Sequence, residues 1–291
     1  MWEKPYGARA SIRAMQGQVC VITGATSGIG KAAAAALARQ GAEVIVVGRD
    51  PGRTEATAAA IQADGAPPPK VEIADLARLD QVRALAGRLD QTLDRIDVLI
   101  NNAGLVLNER RLTPDGYEYV FAVNHLAPFL LTNLLRPKLT ASAPARVITV
   151  SSDAHTAAKL DLDDPNLEHG WTSWRSYSNS KLANILFTRE LAGRLDGTGV
   201  TANCLHPGVV RTGFGRDARP LMRVGITIAK PFMLSPERGA DTIVYLASSP
   251  DVAGKSGGYY VKRQLREPSP AARDDGLAGR LWAVSEDLTG L

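Results

Sequence analysis

Short apolar runs alternate with longer alanine-rich or amphipathic segments along most of this chain. Val19-Cys20-Val21-Ile22 has the length and β-branched character of a buried strand, and the alanine-dominated stretch Lys31 to Gln40 reads as a helix. Ala42 to Val47 predicts a second strand. Gly52 to Ala63 then predicts a helix, closed by Asp64-Gly65 and the breaker Pro67-Pro68-Pro69. Val71-Glu72-Ile73 is a short third strand, and Leu79, Val82, Leu85, Leu89 and Leu93 recur at helical spacing. Asp97 to Ile100, Arg146 to Val150, Val200 to Leu205 and Gly258 to Val261 predict the remaining strands. Between them lie helices at Pro114 to Leu139 (kinked at Pro128), Tyr177 to Leu195 and Pro236 to Ala247. Strands that alternate with helices imply a parallel sheet of about seven strands, covered by helices on both faces. No repeat or long linker interrupts the pattern, so a single α/β domain is expected over 17–291, with an N-terminal arm at 1–16 and a C-terminal tail at 262–291.

The polar motifs fall where the predicted strands end. Thr23-Gly24-Ala25-Thr26-Ser27-Gly28-Ile29-Gly30 turns the first strand into the first helix, which gathers backbone N–H groups and a positive helix end around an anion. A pyrophosphate suits that arrangement, and a doubly wound, Rossmann-type sheet binds dinucleotides at strand carboxyl ends. Arg49, Asp75, Asn101-Asn102-Ala103-Gly104, Ser152 and Pro207-Gly208 follow later strands in the same way.

Composition narrows the function by exclusion. The 291 residues are 45% hydrophobic and 22% charged, with a formal net charge of +4 from scattered basic residues, so nucleic acid is not implied. Cys20 and Cys204 sit in apolar runs, as buried free thiols do, and the four histidines have no metal-ligand spacing. Neither Met1 to Gln16 nor any other stretch has the roughly 20 apolar residues of a membrane span. A soluble, cytoplasmic protein without a metal is expected.

Tyr177 and Lys181 stand one helical turn apart, on one face. A free tyrosine titrates near 10; a neighbouring cation would stabilise the phenolate and fit Tyr177 for proton transfer. Ser152 ends the preceding strand, where its hydroxyl can donate to an oxygen that gains charge. Asn124 lies in an apolar helical stretch and must be hydrogen-bonded there, either at a helix kink or in a site.

Together these residues resemble the short-chain dehydrogenase/reductase family over roughly Gln18 to Val261. The likeness rests on Thr23-Gly24-x-x-x-Gly28-x-Gly30, Asn101-Asn102-Ala103-Gly104, Asn124, Ser152, Tyr177-x-x-x-Lys181 and Pro207-Gly208. Val123-Asn124-His125-Leu126, Ser180-Lys181-Leu182-Ala183-Asn184, His206 to Thr212 and Arg280-Leu281-Trp282 resemble its retinol dehydrogenase-like reductases. The resemblance implies hydride transfer between a nicotinamide and a carbonyl or alcohol carbon. Tyr177 would then be the acid/base and Ser152 would polarise the carbonyl. Lys181 would lower the Tyr177 pKa and hold the ribose, and Asn124 would keep a relay water. Gly24, Ser27, Gly28, Ile29 and Gly30 would hold the cofactor pyrophosphate side, and Asp75, Leu76, Asn102, Ala103 and Gly104 its adenosine side. Pro207, Gly208 and Thr212 would hold the nicotinamide. Family members commonly form dimers or tetramers through the helices at Pro114 and Tyr177.

Dinucleotide sites that take NAD place a carboxylate at the end of the second strand. Here that position is Gly48, followed by Arg49, whose guanidinium suits a 2′-phosphate; NADP(H) is expected ahead of NAD(H). In this family the segment 213–235 closes over the substrate, and its Phe214, Leu221, Met222, Ile226, Phe232 and Met233 predict a small lipophilic carbonyl or alcohol. His155 to Trp174 is an insertion that starts and ends beside the site, as a surface loop or as a substrate wall. The other class open to this chain is a non-catalytic NADP(H)-binding regulator or sensor, against which the presence of both Tyr177 and Lys181 counts.

Overall fold

A computed structural model describes residues 14–210 and 234–291. One sheet holds eight strands in the order β3-β2-β1-β4-β5-β6-β7-β8. These are β1 (Val19–Thr23), β2 (Glu43–Gly48), β3 (Lys70–Ile73), β4 (Val98–Asn101), β5 (Ala145–Val150), β6 (Val200–His206), β7 (Tyr259–Val261) and β8 (Gln264–Arg266). All neighbours run parallel except β7 and β8, which form an antiparallel hairpin. The eighth strand falls in the expected tail. Its turn, Lys262-Arg263, has both residues at positive φ (51° and 63°), a conformation usually announced by Asn-Gly. Lysine and arginine gave no such signal.

The alternation of side chains along β1 builds two cores. Val19 and Val21 point to one face, where they join Leu85 and Leu89 of α3 (Leu79–Thr92), Phe129 of α5 (Ala127–Ala141) and Phe187 of α6 (Ser173–Arg194). Cys20 and Ile22 point to the other face. They meet Ala33 and Leu37 of α1 (Gly28–Arg39), Ile61 of α2 (Pro51–Ala63) and Ile243 of α7 (Pro236–Ser248). Both cysteines are buried and free, as expected. The last helix, α8 (Asp275–Thr289), closes the first face by packing Trp282 against both Phe129 and Phe187, with Arg194 stacked 4.1 Å over its ring.

The predicted helix at Pro114 to Leu139 is shorter and irregular. Thr113 to Gly116 is a turn, with the Gly116 N–H donating to Thr113 and φ at 85°. The helix begins only with α4 (Tyr119–Phe121) and passes through a π-helical turn, Ala122–Leu126, before α5. Pro128 follows that turn at once. Having no N–H, it withholds from the Asn124 carbonyl the donor that an α-helix would supply.

Strand order reverses between β1 and β4, and the crevice at their carboxyl ends is where an open parallel sheet binds its ligand. No group of side chains able to hold a metal ion exists among the described residues, and no helix among them is long and apolar enough to cross a membrane.

Candidate active site

The glycine loop is shaped by the residues that end β4. Thr23 Oγ1 accepts from the N–H groups of Asn102 and Ala103, both at 3.1 Å, while Asn102 Nδ2 donates to the carbonyls of Thr23 (2.9 Å) and Gly24 (3.2 Å). Gly24, at φ 66°, touches Ala103 so closely that a Cβ there would lie 2.7 Å from its Cα. Asn102 and Ala103 are expected around the adenosine, and the Asn102 amide donors hold the loop. Its Oδ1 is buried without a partner.

This loop delivers the N-terminus of α1. Ser27 occupies the capping position in an extended conformation but makes no side-chain cap, and the first turn carries no acidic residue. Backbone N–H groups are therefore left to a ligand, which fits the pyrophosphate of a dinucleotide. At the end of β2, a Cβ on Gly48 would lie 2.3 Å from Thr54 Oγ1 and 2.5 Å from Thr26 Cγ2, so the position has no room for a carboxylate. Arg49 is exposed beside it. After β3, Asp75 Oδ1 accepts from the Ala77 N–H at 3.1 Å, and Leu76 is buried at the edge of the crevice.

Across the crevice, the ends of β5 and the second turn of α6 bring the chemical groups together. Ser152 lies close enough to Tyr177 for its hydroxyl to favour the phenolate. Lys181 Nζ lies 5.6 Å from the Tyr177 ring centroid and donates to the Val150 carbonyl at 3.0 Å. Ser151, the other serine of the pair, is buried and donates to the Lys181 carbonyl at 2.7 Å, which leaves Ser152 as the serine facing the site. Gly104 makes room for this group: a Cβ there would be 3.3 Å from Lys181 Nζ and 3.4 Å from Asn124 Oδ1.

The electrostatics differ from the sequence expectation in one respect. Burial raises the Tyr177 pKa above the usual tyrosine value, with the Ser152 hydrogen bond opposing it, so the net direction is up rather than down. The same burial lowers Lys181 to about 8. Removing both groups from water disfavours the charged form of each.

Asn124 is fully buried, with its side chain spent on structure. Oδ1 accepts from the Leu105 N–H (2.9 Å), and Nδ2 donates to the Leu105 carbonyl (3.0 Å) and Ser180 Oγ (3.0 Å). Its carbonyl, left without an α-helical donor by Pro128, is the atom suited to a water. Pro207 and Gly208 follow β6, Gly208 at φ 86° with Leu234 packed against it. Thr212 and all of the 213–235 flap except Leu234 and Ser235 lie outside the described residues, as does most of the 1–16 arm.

Glu118 was not among the expected site residues, yet it organises one wall. Its buried carboxyl accepts from the Phe121 N–H (2.8 Å), Trp171 Nε1 (3.1 Å) and Ser176 Oγ (3.1 Å), while its own N–H donates to Asn166 Oδ1 (2.9 Å). The insertion is thus pinned to the residue before Tyr177. Trp174, 57% exposed, stands with its ring 6.4 Å from the Tyr177 ring. Only a buried acid 53 residues from its tryptophan partner signals this, and pattern along the chain does not. A Glu118→Gln variant turns an amide N–H₂ toward one set of donors and is expected to cost about 1–3 kcal/mol. Urea unfolding measures it, and a midpoint unchanged from the parent would remove Glu118 from this role.

The short chain dehydrogenase family model matches residues 18–222. The chain belongs to the short-chain dehydrogenase family. Retinol dehydrogenase 14 of Mus musculus is 46% identical over 294 residues, covering 95% of this chain and 87% of the relative. A crystal structure of an uncharacterized protein from Mycobacterium paratuberculosis superposes with a TM-score of 0.80 at 37% identity, covering 99% of this chain and 98% of that one. The Pseudomonas aeruginosa RhlG/NADP active-site complex is similar at a TM-score of 0.70 and 27% identity, covering 92% and 99%. This short-chain dehydrogenase therefore has the Rossmann-type fold of its family and is an oxidoreductase, retinol dehydrogenase-like in sequence.

Proposed function

We propose that this protein is an NADP(H)-dependent carbonyl reductase or alcohol dehydrogenase acting on a small lipophilic substrate, with Tyr177 as the acid/base. The observation that carries the reading is the placing of the Tyr177 ring, 5.6 Å from the buried Lys181 ammonium, beside Ser152 at the end of β5, across the crevice from an uncapped helix N-terminus. When bound, the nicotinamide supplies or accepts the hydride. In the reductive direction, burial keeps the Tyr177 phenol protonated at neutral pH, the form that donates to a carbonyl oxygen. Ser152 orients the phenol and polarises the same oxygen. Lys181 is placed to hold ribose hydroxyls, and the Asn124 carbonyl to hold a water behind it.

Gly24, Ser27, Gly28, Ile29 and Gly30 would receive the pyrophosphate, and Asp75, Leu76, Asn102, Ala103 and Gly104 would border the adenosine side. Pro207, Gly208 and Thr212 would face the nicotinamide. The lipophilic substrate is supported by the retinol dehydrogenase relative, the exposed Trp174 beside Tyr177 and the apolar residues within 213–235. A cytoplasmic location and assembly into dimers or tetramers belong to the same proposal.

Purified protein with NADPH and a panel of hydrophobic aldehydes and ketones should consume the nicotinamide absorbance. NADPH binding with no turnover across the panel would favour a sensor instead. Cofactor choice has its own test. The Arg49→Asp variant replaces the phosphate partner with a repelling charge and should lower the NADPH:NADH ratio of kcat/KM by about 10–100-fold. An unchanged ratio would sink the role of Arg49.

A further inference from the structure

A cluster of titratable side chains outside the Ser152–Tyr177–Lys181 group surrounds the residue that follows Ser152. The Asp153 N–H donates to His206 Nδ1 (3.3 Å), and His206 Nε2 lies 3.2 Å from Asp153 Oδ2. An accepting Nδ1 places the ring proton on Nε2, so a neutral imidazole grips one residue at both its amide and its carboxylate. Tyr259, on β7, donates its hydroxyl to the other carboxylate oxygen at 2.6 Å. More than half of the Asp153 side chain faces solvent (61%), so these two partners are what fix it.

The neighbouring turn is held in the same manner. Ser152 Oγ accepts from the Ala154 N–H at 3.2 Å, and the Ser152 carbonyl lies 2.8 Å from His155 Nδ1. His155 Nε2 accepts from the Ser269 N–H at 3.1 Å, which leaves the His155 proton on Nδ1. Ser152 is thus the first residue of a turn clamped from β6, from β7 and from the segment before α8. His206 is also the residue before Pro207-Gly208.

We propose that His206 and Asp153 are positioning residues for Ser152: the neutral His206 ring locks the Asp153 backbone, and with it the Ser152 hydroxyl, to the loop at Pro207-Gly208. The inference rests on the oxidoreductase reading of the site. Protonation of His206 puts a hydrogen on Nδ1, where it faces the Asp153 N–H, so the acceptor is lost and two donors oppose each other. The Ser152 turn is then released on one side.

Among the described residues, the titratable groups around His206 are Asp153 and His155, with Tyr259 on the far carboxylate oxygen and the His155 ring 5.2 Å from that of Tyr259. Burial lowers the His206 pKa and outweighs the opposing pull of Asp153, with His155 also lowering it. The acid limb that His206 produces in kcat is therefore expected below the ordinary 6.5.

The pH dependence of kcat separates positioning from mere stability. His206→Phe, which keeps the ring and loses both nitrogens, should lower kcat about 10–100-fold. His206→Asn and His206→Gln each carry an amide acceptor and donor and do not titrate; at least one should retain near-parental kcat at neutral pH with the acid limb flattened. An unchanged acid limb in an active amide variant, or a parental profile in His206→Phe, overturns the proposal. Nitrogen-15 NMR of the parent chain gives a reading without turnover: an unprotonated Nδ1, and an Asp153 amide shift that titrates with the His206 ring. A protonated Nδ1 at neutral pH, or an Asp153 amide blind to the ring, overturns it even if no substrate is found. Absence of turnover with that NMR signature intact would count against the oxidoreductase reading alone.

Discussion

Replacing Tyr177 with phenylalanine is expected to reduce kcat by about 10²–10⁴-fold while NADPH still binds. The substitution removes one oxygen and keeps the ring, so packing against Lys181 and Trp174 survives. What is lost is the hydroxyl beside Ser152 and the proton that burial keeps on the phenol at neutral pH. Steady-state reduction of a ketone, paired with NADPH titration by fluorescence, measures the two effects separately. Activity within a few-fold of the parent would show that another group delivers the proton, and the mechanism given above would be wrong.

The Gly30→Ala variant is expected to lose about 1–3 kcal/mol of stability and most of its dinucleotide affinity. Propensity alone points the other way, because alanine is favoured over glycine inside a helix by about 1 kcal/mol. Here the added Cβ would lie 2.3 Å from Asn102 Nδ2 and 2.5 Å from the Gly24 carbonyl. Asn102 would have to release that carbonyl and that of Thr23, and the loop that delivers the α1 N-terminus would open. Gly87→Ala is the control. It lies within α3 with nothing within 4 Å of its added Cβ, and there the same substitution should be stabilising by up to about 1 kcal/mol. Thermal melting of both variants checks the pair. Equal shifts of one sign would mean that propensity, not the Asn102 contact, decides at Gly30.

The residues that can be placed from sequence share a property: their signal is local. Val19 to Ile22 is a strand because four apolar residues run together before glycines, and Leu79 to Leu93 is a helix because its leucines and valine recur at 3.6-residue spacing. Tyr177 and Lys181 face one way because they are a turn apart. Arg49 follows Gly48 by one residue, and the steric exclusion of a carboxylate at Gly48 only sharpens what the two letters already say.

Other features depend on residues far apart. Asn124 reads as a lone polar residue in an apolar helix until the π-turn and Pro128 show that its amide serves Leu105 and Ser180. Glu118 is unremarkable in sequence, and its meaning comes from Trp171 and Ser176. Tyr259 and His206 meet at Asp153 only because β6 and β7 are neighbours in the sheet. The direction of the Tyr177 pKa shift belongs to the same class. Spacing places a cation nearby, but whether attraction or desolvation wins depends on how much water the folded chain removes.

By itself, then, the sequence determined the alternation of strands and helices, the glycine loop, the Tyr177–Lys181 pair and the basic residue after β2. Each is written in short-range pattern or in the chemistry of residues within one turn. Only the tertiary structure decided which serine faces Tyr177, what Asn124 and Glu118 hold, where the insertion is anchored, and which imidazoles clamp the turn after Ser152. The long-range contacts among them are hydrogen bonds and burial between segments 19 to 114 residues apart in the chain, as from Leu105 to Asn124 or from His155 to Ser269, and they exist only once packing has brought the partners together.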